Sequence, residues 1–219
     1  MHSVPSTRLI SDRRFWPMLA TGFLGALNDN ILRAAIMVQA ALVLPAQDAA
    51  AVALAAAAVL MAPFVLGSHV AGALADRLDK ARMTRITKLV ELGAAVLGLA
   101  LLATGDVRAM LLVLFLLGVQ SALFGPLKFG WLPERLSRAE LPRANAWTEG
   151  ATFLAILLGM ILGGMATGIL GLWAAAGLSV TVGLAGLACA WTLPTGDAAD
   201  PTAPLRLSPL AEIRDLWSE

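Results

Sequence analysis

Six mostly apolar stretches follow one another along this 219-residue chain, from about Phe15 to Leu44, Ala49 to Ala75, Thr84 to Leu102, Val107 to Leu132, Ala144 to Leu170 and Leu172 to Leu193. Each is close to or above the roughly 20 residues that a helix needs to cross a bilayer. Hydrocarbon offers no water to an open backbone, so each stretch is expected to be helical. Composition points the same way. Only 14% of the residues are charged and 58% are hydrophobic, whereas an average soluble domain carries roughly 25% charged residues. A mean hydropathy of +0.78 leaves no room for a soluble catalytic domain. The expected fold is an all-α membrane protein: residues 1–14 form an N-terminus, 15–193 a six-helix transmembrane bundle, and 194–219 a tail. Within the tail, the amphipathic stretch Pro209–Trp217 reads as a short interfacial helix.

The connections at Pro45–Asp48, Thr104–Asp106 and Gly171 are very short, so they make antiparallel neighbours and share one side of the membrane. Positive charge gathers on the other side. The N-terminus carries Arg8, Arg13 and Arg14; Arg77, Lys80, Arg82, Arg85 and Lys88 are counted with the connection between the second and third stretches, the last two in the opening turns of the third. Arg135, Arg138 and Arg143 follow the fourth, and Arg206 and Arg214 stand in the tail. Opposite them is Arg108. By the positive-inside rule both termini are cytoplasmic. The basic start before an apolar run could mimic a signal peptide, but the run is too long and is interrupted by charge, so it reads as a retained first span. With Cys189 as the one cysteine no intramolecular disulfide or CxxC site can form, and His2 and His69 are too few and too far apart for a metal box. No metal, cofactor or nucleic-acid partner is expected.

Three ionisable residues stand inside the apolar stretches: Asp29 and Arg33 in the first and Lys128 in the fourth. A charge in hydrocarbon costs roughly 2.5–3.5 kcal/mol even on the mildest scale, so such groups usually face a wet interior. Asp29 lies near the midpoint of its stretch, and Arg33, four residues on, shares its face and is placed to pair with it. Asn28 and Asn30 add amides beside them, and Gly22 and Gly25 leave room for another backbone to approach. Two readings of Asp29 stay open: it lines a central cavity, binding a cation or carrying a coupling proton, or it forms a buried pair with Arg33 that only holds the bundle. Lys128 falls in the cytoplasmic third of its stretch below Gly125-Pro126, where a proline removes one helix hydrogen bond. It suits a phosphate group as a point charge, or else snorkels to the interface. Glu149 is its expected partner, and Glu91 could serve too, although an interface role is more usual. His69 reads as a structural histidine. The pairs Gly159/Gly163 and Gly164/Gly168 are expected to mark close helix packing.

The stretch Gly72-Ala-Leu-Ala-Asp-Arg-Leu-Asp-Lys-Ala-Arg82 resembles the signature loop of the major facilitator superfamily, Gly-x-Leu-Ala-Asp-Arg-x-Gly-Arg-Lys/Arg, with Asp79 where the family has its second glycine. Gly22-Phe-Leu-Gly-Ala-Leu-Asn-Asp-Asn-Ile-Leu-Arg33 is similar to the first span of bacterial lysophospholipid transporters. Ser121-Ala-Leu-Phe-Gly-Pro-Leu-Lys-Phe-Gly130 and Leu141-Pro-Arg-Ala-Asn-Ala-Trp-Thr-Glu-Gly150 are similar to that family's fourth span and the start of its fifth. The resemblance implies the N-terminal half of a twelve-span fold, a 3+3 inverted repeat. That half would work with a C-terminal six-helix half or, failing that, a second copy. It further implies a conformational latch at Gly72, Asp76, Arg77, Lys80 and Arg82, with Asp76 pairing to arginines. The implied cargo is a lysophospholipid, moved across the bacterial inner membrane by alternating access toward reacylation by a fused or associated acyltransferase. Asp29, Arg33, Lys128, Asn28, Asn30 and Glu149 are the candidate cargo or coupling residues. A proton-coupled exporter of small cationic drugs would suit the same residues, and an acyltransferase anchor without transport is the alternative of another class. No enzyme is expected, since the chain lacks His-x4-Asp and Gly-x-Ser-x-Gly motifs.

Overall fold

A computed structural model describes residues 9–101 and 106–196. The expected tail helix at 209–217 and the side chain of His69 lie outside what is described. Six long helices follow in order: α1 (Trp16–Val43), α2 (Ala46–Arg77), α3 (Lys80–Leu101), α4 (Val107–Arg135), α5 (Leu141–Met165) and α6 (Leu172–Trp191). A π-helical turn, Ala166–Leu170, ends α5. Four of the helices are long and apolar enough to cross a membrane: α2 over Ala46–Ser68, α4 over Ala109–Arg135, α5 with its π turn, and α6. The other two, α1 and α3, have the length but carry buried charges and amides near their middles.

Local chemistry sets the boundaries. Pro17 and Pro142 sit in the first turns of α1 and α5, where a missing N–H costs nothing. The residue before a proline resists the helical region, and α1 stops at Leu44 ahead of Pro45 with an extended backbone. Gly171 adopts φ 89°, a left-handed conformation that lets the chain reverse between the π turn and α6 in one residue. Ser137 and Glu140 close the turn before α5: the Ser137 N–H and Oγ–H donate to Glu140 Oε2 at 2.8 and 2.7 Å, and the Glu140 N–H donates to the Ser137 carbonyl at 2.9 Å. The Ser137 N–H, then its hydroxyl, holds the Glu140 carboxyl below its ordinary value of 4.5.

Several boundaries differ from expectation by three or four residues, the start of α3 most of all. Helix α3 starts at Lys80 rather than near Thr84, because Asp79 Oδ1 accepts the Arg82 N–H at 2.7 Å and caps the helix. The family's glycine is therefore not needed here. Helix α4 runs unbroken through Gly125-Pro126 and Pro133, since a proline deletes a single backbone donor while packing on both sides holds the helix.

Polarity is arranged inside out. Buried side chains include Thr21, Asn28, Asp29, Asn30, Lys88, Glu91, Gln120, Thr148 and Ser179, while Leu54, Val65, Phe153, Ile169 and Trp173 stand exposed. A water-soluble bundle would reverse that order. Helix α1 is the hub, packed most extensively on α5 and α6; α2 packs on α4, and α3 on α4 and α6. The α1–α5 seam is tight: a Cβ on Gly159 would lie 2.6 Å from the Leu27 carbonyl oxygen, and one on Gly163 would lie 2.8 Å from the Ile31 Cα. The expected close packing is present at this pair. It is absent at Gly164/Gly168, because Gly168 meets nothing within 4 Å and Gly164 reaches only Val38 Cγ2.

At the end where α2 meets α3, polar contacts draw the helix termini together. Trp131 Nε1 donates to the Arg14 carbonyl at 2.9 Å, and Lys80 pairs with Glu134 at 2.5 Å. Arg85 donates to the Leu193 carbonyl at 2.7 Å and lies over the Trp191 ring. The second Asp79 oxygen accepts the Gly196 N–H at 2.7 Å. Asp79→Ala should therefore cost about 1 kcal/mol, the usual worth of a cap. Hydrogen exchange would show it, with the Arg82 and Gly196 amides both speeding up; acceleration at Arg82 alone would mean that Gly196 is held by other contacts.

Candidate functional site

The middle of α1 organises two polar clusters on different faces. Asp29 is the fourteenth residue of this 28-residue helix, roughly 20 Å along it at 1.5 Å per residue. Its carboxylate accepts a short hydrogen bond from the Ser121 hydroxyl and another, at 3.3 Å, from Gln120 Nε2, both on α4. Among the described residues no ion pair reaches it. Asn30 turns its amide back to the Ala26 carbonyl at 2.7 Å.

The expected Asp29–Arg33 pair does not form. Arg33 extends toward α5, where its Nη2 lies 3.5 Å from Met160 Sδ, and its buried Nε meets no hydrogen-bond partner among the described residues. Sharing a helix face at four-residue spacing permits a pair but does not compel one. Here Ser121 and Gln120 satisfy the carboxylate first.

On the other face, Asn28 joins α1 to α3 and α6. Its Nδ2 donates to Glu91 Oε1 at 3.1 Å, and its Oδ1 accepts the Ser179 hydroxyl at 2.5 Å. Glu91 Oε2 pairs with Lys88 Nζ at 2.5 Å, one turn away on α3, with the two side chains 0% and 1% exposed. Counting Lys88 with the cytoplasmic cations is therefore corrected: because α3 starts four residues earlier, Lys88 lies two turns inside it. Gly25 has a corrected role as well. Its missing side chain makes room for the Lys88 ammonium, while Gly22 faces the Lys128 stem at 3.4 Å and the Phe124 ring at 3.5 Å. Side chains, not a neighbouring backbone, fill those gaps.

Lys128 sits one to two turns from the end of α4. It donates to Thr152 Oγ1 at 3.2 Å, lies 3.8 Å from Glu149 Oε1, and stands over the Phe129 ring at 4.6 Å. Glu149 is about half exposed. In the signature region, Asp76 is exposed near the end of α2 and joins no ion pair among the described residues. Arg77 closes α2, Gly72 has open space where a side chain would be, Arg82 is exposed, and Lys80 is buried against Glu134. Sequence reasoning missed Gln120, Ser121 and Ser179: none is charged, although the amide of Gln120 in an apolar stretch was a usable signal. The i, i+3 spacing of Lys88 and Glu91 was a usable sign that those two would pair.

Residues 18–219 match the model of the Major Facilitator Superfamily. Over 164 residues the chain is 30% identical to the lysophospholipid transporter LplT of Pectobacterium carotovorum subsp. carotovorum (strain PC1), covering 74% of this chain and 37% of that protein. It is likewise 30% identical over 169 residues to the lysophospholipid transporter LplT of Enterobacter sp. (strain 638), covering 74% and 38%. The chain thus spans less than two-fifths of the length of the curated relatives it matches. It belongs to the Major Facilitator Superfamily, and its long apolar helices make it a multi-pass transmembrane protein.

Proposed function

We propose that this chain is one six-span half of a lysophospholipid transporter in the bacterial inner membrane, working by alternating access against a second six-span half or a second copy. Both termini are cytoplasmic in this reading, and the lipid delivered there feeds reacylation by a fused or associated acyltransferase. One observation carries it: Asp29, at the middle of α1, is buried with hydrogen bonds from α4 and joins no ion pair among the described residues. Keeping a carboxyl group at that depth without a direct ion partner is costly unless it serves a ligand or a coupling ion. Arg33 and Lys128 supply cations for a phosphate, and the buried Arg33 Nε is a donor with no acceptor among the described residues.

Packing supports the repeat. Exchanging α1, α2 and α3 for α4, α5 and α6 turns the α1–α5 contact into α4–α2, and the α1–α6 contact into α4–α3; all four are extensive. That is the pattern expected of two three-helix units related by a pseudo-two-fold axis. Gly72, Asp76, Arg77, Lys80 and Arg82 form the cytoplasmic latch of this proposal, with Lys80–Glu134 as its formed ion pair.

In vesicles carrying the full-length transporter, Asp29→Asn should abolish lysophospholipid uptake. Lys128→Ala should weaken it about 10- to 100-fold, the worth of one charged hydrogen bond. Both should leave expression and thermal unfolding at parental values. Parental uptake in either variant removes that residue from the mechanism, and loss of ethidium efflux with lipid uptake intact would point to cationic drugs as the cargo.

A further inference from the structure

Lys88 and Glu91 take no part in the cargo-facing set, yet they are among the most completely buried side chains in the molecule. The Lys88 ammonium fills the space left by Gly25 on α1, would lie 3.9 Å from a Cβ on Gly186 of α6, and stands 5.1 Å from the Phe124 ring of α4. Four helices converge on one cation. Packing alone gives no reason for it, because a buried ion pair is often no more stabilising than apolar residues of the same volume. The second Glu91 oxygen suggests the reason: it accepts from Asn28, whose carbonyl oxygen is in turn held by Ser179. Asn28 immediately precedes Asp29, and successive residues on a helix differ by about 100° in direction. Whatever holds Asn28 on the α3–α6 side therefore sets the angle at which Asp29 meets Ser121 and Gln120.

We propose that Lys88 and Glu91 are positioning residues for Asp29. Lys88 holds the Glu91 carboxylate, Glu91 and Ser179 hold Asn28, and α1 is thereby locked in the rotation that presents Asp29 to α4. The proposal rests on the reading that Asp29 serves cargo or coupling, and its principal readout does not depend on transport.

The test uses the full-length protein and three variants, each measured for thermal unfolding in detergent, for lysophospholipid uptake in vesicles, and for modification of Asp29 by dicyclohexylcarbodiimide, followed by mass spectrometry. Lys88→Met/Glu91→Leu replaces the pair with apolar groups of similar volume. It should unfold at the parental temperature or above, yet lose uptake by about tenfold or more, the scale on which a misplaced group is felt. Asp29 should label several-fold faster as Ser121 and Gln120 cease to cover it. Lys88→Met/Glu91→Gln keeps an oxygen for Asn28 and should restore both uptake and slow labelling. Parental uptake and labelling in Lys88→Met/Glu91→Leu would overturn the proposal, leaving the pair as packing. Should that variant not accumulate, Ser179→Ala loosens Asn28 without touching a charge and must still speed labelling; unchanged labelling there overturns the proposal equally. Failure of the transport reading is separate: Asp29→Asn would then take up lipid normally while labelling in the other variants still reported the orientation of α1.

Discussion

Glu91→Leu, made alone, should destabilise the bundle by about 3–5 kcal/mol, the usual cost of removing one partner of a buried ion pair. The loss arises because Lys88 stays behind with its side chain 1% exposed and its hydrogen bond to Glu91 gone. Asn28 loses an acceptor in the same step. Thermal unfolding of the purified protein in detergent measures the effect. The comparison with Lys88→Met/Glu91→Leu is decisive, since removing both charges should recover the whole loss. Equal instability in the single and double variants would mean that the cavity and the lost amide bond, not the stranded ammonium, set the cost.

Gly163→Leu should prevent α5 from seating on α1. Even a single Cβ there would lie 2.8 Å from the Ile31 Cα and 2.9 Å from its carbonyl carbon, and neither backbone atom can rotate aside. Overpacking a well-filled site typically costs 1–3 kcal/mol, and contact with main chain rather than a flexible side chain places this position at about the upper end of that range. Poor accumulation in the membrane, or a sharply lowered unfolding temperature, is the expected result. Gly168→Leu is the control: nothing lies within 4 Å of its would-be Cβ, so it should behave as the parent does. A benign Gly163→Leu would mean that the α1–α5 seam opens at little cost.

Much of the fold could be read directly from the residues, because hydropathy over some twenty positions averages out local irregularity. Asp29 and Lys128 stood out for the complementary reason, a charge set in a long apolar background. Lys88 was counted with the connection although it lies one turn inside the third stretch. Asp79 capping α3 four residues earlier sets it two turns deep, and capping depends on a rotamer and a backbone direction rather than on composition. The partner of Asp29 was misjudged for another reason. Spacing along α1 favours Arg33, whereas the crossing of α1 and α4 brings Ser121 and Gln120 closer, and a helix crossing leaves no trace in local periodicity. Gly22 and Gly25 were recognisable as room for an approach, but nothing in the sequence says that two lysine side chains take it.

Asp79 spends one oxygen on the first turn of α3 and the other on Gly196, just beyond the end of α6. A Cβ on Gly196 would also come 2.8 Å from Arg135 Nη2, so that guanidinium lies against the same segment. The polypeptide leaving the bundle is therefore tethered to the place where the third helix begins. Tension applied downstream of that point reaches the start of the third helix through the Asp79 carboxylate and through Arg85, which holds the Leu193 carbonyl, and a displacement of that helix pulls back on the outgoing chain.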